Sequence, residues 1–243
     1  MKYSLHVGEN CDISESANIA DTVVIHNNVV VEDGVIVHDY VVLYPGSVIK
    51  KGAEIFDFSV IGKYPTSPGS TSRPLDTSYR ATVIGESCML CPGSIVYTGS
   101  TIGRNTLLGD HCSILDDCTV GEYCIISRNV TVNYNTVIGN HTKIMDNSHI
   151  TGNMKIGNHV FISVLVSTTN DNSMGREAYG THVSGPIIDD HVTIGANANI
   201  LPNVHVGKNC IVGASALVTK SIPENKVVMG IPAKIIRDVA EGQ

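Results

Sequence analysis

Ile, Val or Leu occupies every sixth position over most of this chain. The run goes from Ile13 to Ile61, resumes from Ile84 to Ile162, and returns from Ile188 to Val218, 29 positions without a miss. A period of six suits neither a 3.6-residue helix nor an alternating strand of indefinite length. It predicts a parallel β-helix, a solenoid of short strands and tight turns. Three hexapeptides close one triangular coil, so residues 18 apart stack on one face, about 4.8 Å from each other. Sequence offset thereby becomes a map of contacts.

Composition agrees with narrow coils. Hydrophobic residues make up 42% of the chain and aromatics only 5%, as expected where Ile and Val fill the interior. The net charge of −7 argues against nucleic acid as the main partner, because duplex binding relies on a basic surface. No apolar run approaches the roughly 20 residues of a membrane span. The opening Met-Lys-Tyr-Ser-Leu-His lacks the apolar stretch of a signal peptide, so a cytoplasmic location is expected. Of the seven cysteines, Cys88, Cys112, Cys118, Cys124 and Cys210 share the fifth place of their hexapeptide, where Ala, Ser and Thr stand elsewhere. They read as small inward-facing hydrophobes. One CxxC pair occurs, Cys88-Met-Leu-Cys91, with no second pair to complete a four-ligand set, which argues against structural zinc.

Two segments break the period, 62–83 (GKYPTSPGSTSRPLDTSYRATV) and 168–187 (TTNDNSMGREAYGTHVSGPI). Both read as loops extruded from a solenoid over 1–223. The tail, 224–243, is expected to cap the open end with a short helix from Ala233. Two long loops on a regular scaffold are the first places to look for a site.

The 18-residue offset puts Thr131, His149 and Ser167 in one column at the end of one face. The second loop leaves just after Ser167, so Thr169, Asn170 and Asp171 emerge beside His149. Asp146 and Asn147 lie on the turn of the same hexapeptide. A His flanked by Asn and Asp can be held in one tautomer and accept a proton near neutral pH. His141 and His159 stack in another column after Tyr123; a metal role there would need a third ligand. His26, His38, His111, His191 and His205 read as isolated surface residues. In the first loop Arg73, Tyr79 and Arg80 suit a phosphate or a stacked base. Asn133 and Tyr134 interrupt an otherwise bland coil.

Units such as Ile-Gly-Asn-His-Thr-Lys and Ile-Gly-Ala-Asn-Ala-Asn resemble the hexapeptide-repeat acyltransferases over about 170 of the 243 residues. The C-terminal run Val-Gly-Ala-Ser-Ala-Leu-Val-Thr-Lys-Ser-Ile-Pro, then Met-Gly-Ile-Pro-Ala-Lys, is similar to the family's acetyl-CoA-using members. The resemblance implies a left-handed parallel β-helix, a homotrimer with active sites between subunits, and acyl-CoA held near the C-terminal coils. Lys143–Gly152 with Thr169-Asn170-Asp171 looks most like N-acetyltransferases of nucleotide-linked amino sugars. Lipid A type O-acyltransferases carry a second His as the base in the related segment; here Gly152 stands in its place, which favours an amine over a hydroxyl acceptor.

The resulting expectation is acetyl transfer from acetyl-CoA to a nucleotide-linked amino sugar. His149 takes the proton, and Asp146 and Asn147 orient it and the sugar. Thr169, Asn170 and Asp171 shape the acceptor pocket, with Asn133 and Tyr134 nearby. Ala196, Gly213 and Ala214 let pantetheine approach the backbone, and Lys220, Lys234 and Arg237 meet the CoA phosphates. No metal is assigned. Rival readings are a sugar O-acetyltransferase, a metal enzyme of the γ-carbonic anhydrase kind on the His141/His159 pair, and a structural solenoid without catalysis.

Overall fold

The computed structural model describes residues 5–71, 73–177 and 183–240. Every regular element within them is a β-strand, mostly two residues long. The strands form three parallel faces of 11, 10 and 12 members, with strand order rising in steps of three along each, apart from the tail. Each coil therefore contributes one strand to each face, as the six-residue period requires. Register follows the 18-residue offset: His149 pairs with Thr131 below and Ser167 above on the first face.

The repeat residues are the core. From Ile25 to Val218 none is more than 3% exposed, whereas Ile13 and Ile19 in the first coils are only partly covered. The five cysteines at the fifth place are buried among them. The thiol of Cys88 donates to the Gly103 carbonyl and that of Cys118 to the Asn133 carbonyl, both 15 residues ahead. Burial pushes the thiols up, Cys88 to about 11 and Cys112 and Cys118 to about 12. They act as small apolar side chains.

Corners demand a left-handed residue in coil after coil. Asn28, Asn105, Asn129 and Asn147 fill that place, and so do Tyr40, Tyr123, His141 and His159, all with φ between 54° and 60°. Asn enters this region most readily, because its short amide bonds locally. Rings at the same place stack on the coil below. Tyr123, His141, His159 and His191 form one such stack, with successive centroids 5.1, 4.8 and 5.0 Å apart.

The inserted loops occupy 64–81 and 169–186, since strands reach Lys63 and Thr168 and resume at Thr82 and Ile187. Both leave the first face and rejoin the second, so they emerge from the same corner of the triangle. The ladder runs on beneath them: Val60 pairs with Ile95 and Ile156 with Ile188.

The tail departs from expectation. Lys226–Met229 continues the third face, and Lys234–Asp238 returns antiparallel along it. A strand forms where a helix was expected, because the last coil leaves unpaired backbone groups that only a strand can match along their length. No helix among the described residues is long and apolar enough to cross a membrane.

Candidate active site

His149 faces outward at the end of the first face, half-buried, on the coil just below the second loop. Its Nδ1 lies 2.7 Å from the Thr131 hydroxyl, one rung down. Burial lowers its pKa below the ordinary imidazole value, so the ring is neutral at physiological pH. Nε2 has no hydrogen-bond partner among the described residues. If the Thr131 oxygen accepts Nδ1–H, Nε2 carries the lone pair and can act as a base.

Asp146 does not face this ring. Its carboxylate takes hydrogen bonds from Ser127 and from the Arg128 guanidinium, the latter at 2.7 Å, and these hold its pKa low. Asn147 is the left-handed residue of that turn, with φ of 60°, so its presence is explained by backbone geometry. The partner that orients His149 is Thr131.

The two loops converge on one corner column. Thr98, Asp116, Tyr134, Gly152 and Asn170 stand 18 residues apart. Loop residue Arg80 exchanges hydrogen bonds with Thr98, its backbone N–H donating at 2.7 Å and its carbonyl accepting at 3.0 Å. Arg73 grips Asp116 with both terminal nitrogens, at 2.8 and 2.9 Å, and lies 4.0 Å over the Tyr134 ring. From the second loop, the Asn170 amide donates to the Tyr134 hydroxyl at 3.3 Å and to the Gly152 carbonyl at 3.2 Å. A Cβ on Gly152 would stand 2.6 Å from Cζ of Tyr134, so only glycine fits there. The ring occupies the space that a second imidazole would need.

The arginines are thus matched within the chain. Arg80 pairs with Asp76 and lies 3.1 Å from Asp117 without hydrogen-bond alignment. Tyr79 packs edge-on against Tyr64 and stacks towards Tyr44, and burial raises its pKa. Asp171 caps its own loop, accepting from the N–H groups of Ser173 and Gly175. The Thr169 N–H continues the ladder to Ile200. Asn133 accepts the Cys118 thiol through its backbone carbonyl. A cavity of about 250 Å³ opens under the first loop between Pro65, Thr71, Leu75, Tyr97 and Tyr134.

Near the C-terminus, Gly213 lies under the Met229 side chain, and the Ala214 amide abuts Gly195 of the preceding coil. Small residues there serve packing of the chain on itself. Ala196 accepts the Ser215 N–H through its carbonyl. Lys220, Lys234 and Arg237 are exposed, the last two on the returning strand.

The other histidines are not isolated. His191 continues the stack on His159. His26 and His38 stack on Tyr44 and Phe56, His38 also meets Glu54, and His205 meets Asp189. His111 lies against Gly93. His141, His159 and His191 lie in parallel planes, so their nitrogens run side by side and do not converge on a point. No group of three possible metal ligands occurs among the described residues.

The family model for the bacterial transferase hexapeptide (six repeats) matches residues 99–133 and 185–220. The matched segments make up 71 of the 243 residues, and the six-residue repeat continues beyond them. Among curated relatives is a 2,3,4,5-tetrahydropyridine-2,6-dicarboxylate N-acetyltransferase of Staphylococcus aureus (strain JH9). It is 54% identical over 57 residues, 24% of either chain. The match thus spans about a quarter of the length of such relatives. A solved Arabidopsis UDP-N-acetylglucosamine acyltransferase shares the fold with a TM-score of 0.67 at 18% identity, over 93% of this chain and 74% of that one. The UDP-N-acetylglucosamine acyltransferase of Bacteroides fragilis 9343 gives 0.50 at 18% identity, over 98% and 74%.

Proposed function

We propose that this protein transfers an acetyl group from acetyl-CoA to the amino group of a nucleotide-linked sugar. The observation that carries the reading is His149: half-buried, neutral, anchored through Nδ1 on Thr131, with Nε2 open beside the second loop. In this reading Nε2 accepts the proton that the amine sheds as its nitrogen bonds to the thioester carbonyl carbon. The C–S bond then breaks, and the same proton passes to the departing thiolate. His149 ends as it began. Asn170 borders the acceptor, and Lys220, Lys234 and Arg237 are assigned to the CoA phosphates. Sites lie between subunits of a trimer in the cytoplasm.

Glycine at 152 supports an amine acceptor. An amine is already nucleophilic when neutral and needs one modest base, whereas a hydroxyl benefits from a stronger one. The N-acetyltransferase name of the curated relatives points the same way. Likeness in fold to UDP-N-acetylglucosamine acyltransferases makes nucleotide sugars the acceptors to try first.

Thiol release from acetyl-CoA, measured against a panel of nucleotide amino sugars, tests this. Turnover with at least one is expected, falling about 10²- to 10⁴-fold in His149→Ala. Turnover confined to hydroxyl or amino-acid acceptors would overturn the acceptor class. Full activity in His149→Ala would remove the base.

A further inference from the structure

Among the described residues, Tyr134 is gripped by both loops. It sits in the corner column with Asp116 one rung below and Gly152 one rung above, as the pairing of Ser113, Thr131 and His149 on the adjoining strands dictates. Arg73, tied to Asp116, covers the ring from the first loop; Asn170, from the second, donates to its hydroxyl. The ring fits only because Gly152 has no side chain, and Gly152 is three residues beyond His149 on the same coil. Thr131, which holds His149, is three residues before Tyr134 on the same coil. Asn170 is three residues beyond Ser167, the ladder partner of His149. The ring also lines the cavity under the first loop.

We infer that Tyr134 is a positioning residue, a strut through which contact under the first loop fixes Asn170 and the second loop beside His149. The ring need not touch the reacting atoms. Its face receives the first loop and its hydroxyl receives the second. An acceptor seated in the cavity would press on the same ring and so complete the wall next to the base. This inference rests on the proposed acyl transfer only for its kinetic consequence; the mechanical coupling stands without it.

The experiment joins kinetics to amide hydrogen exchange, with Tyr134→Phe and Arg73→Lys beside wild type. Tyr134→Phe keeps the stack and removes the acceptor of Asn170. kcat is expected to fall about three- to tenfold, with the acceptor KM within about twofold and Tm unchanged. Arg73→Lys keeps a cation on Asp116 but loses the flat stack; exchange is expected to quicken at 169–177 as well as at 64–71. Tyr134→Phe with wild-type kcat, or Arg73→Lys with quickened exchange in the first loop alone, would overturn the strut. Should wild type acetylate no amino sugar, the exchange arm still decides the coupling, and only the proposed function falls.

Discussion

The Thr131 hydroxyl fixes which nitrogen of His149 is available, and burial fixes its charge. Substituting Thr131→Val preserves shape and removes that anchor. kcat should fall about three- to tenfold with little change in Tm, as measured by thiol release beside a thermal melt. The lowered pKa also sets the pH response. Below 6.5 the unfolded imidazole gains a proton while the folded one still resists it, so stability drops as pH falls through that window. Asp146 contributes in the same sense at lower pH. Ser127 and Arg128 hold its carboxylate, giving stability that is present above 3.8 and lost only on further acidification. Melts from pH 7 to pH 5 should therefore show a decline that flattens in His149→Gln. The acid limb of the rate profile should lie below 6.5; a limb above 6.5 would mean that another group titrates.

The hexapeptide is the element of this fold, and its inner slots differ sharply from its corners. A thiol at the fifth place of a core hexapeptide is held as a thiol by burial, with Cys112 and Cys118 near 12. Alkylation of the native protein should reach the half-buried Cys11 and Cys91 first and spare Cys112 and Cys118 until unfolding, as peptide mapping would show. Loops obey other rules. Asp116 is almost wholly buried with Arg73 as its partner, so Arg73→Ala strands a carboxylate and should cost about 3–5 kcal/mol in a denaturant titration.

This contrast also explains what the sequence made legible. The faces, the core residues, the cysteine slot and the column Thr131–His149–Ser167 all follow from the period. The column Thr98–Asp116–Tyr134–Gly152–Asn170 was equally open to that arithmetic, but its members differ in chemistry and look unrelated until the loops meet on them. His191 reads as isolated in the sequence because the second loop puts it 32 residues past His159 and not 18. The partners of Arg73 and Arg80 were out of reach, since a loop that breaks the period carries no register. The tail misled for a related reason: Ala233–Arg237 has helix-compatible residues, and the unpaired edge beside it decides otherwise.

At the scale of the whole molecule, stability runs along one axis. Each coil touches only its neighbours, so unfolding can start wherever a coil is thinnest. Ile13 and Ile19 are partly exposed, unlike every repeat residue from Ile25 to Val218. Hydrogen exchange should be fastest over the first two coils and slowest near 102–162. Removing 224–240 uncovers the edge of the strand Ile211–Val212, which now pairs with Val227–Val228. The truncated protein should self-associate by light scattering, because that edge offers unpaired backbone groups to another chain.

Because both loops spring from one corner, the number of coils between them works as a ruler graduated in rungs of about 4.8 Å. Excising one whole coil from that interval would leave every core residue in a coherent ladder while bringing the loop bases together by one graduation. The separation of the loop bases is therefore counted in integers of 18 residues, and a lineage could retune it by gaining or losing a coil without repacking the interior.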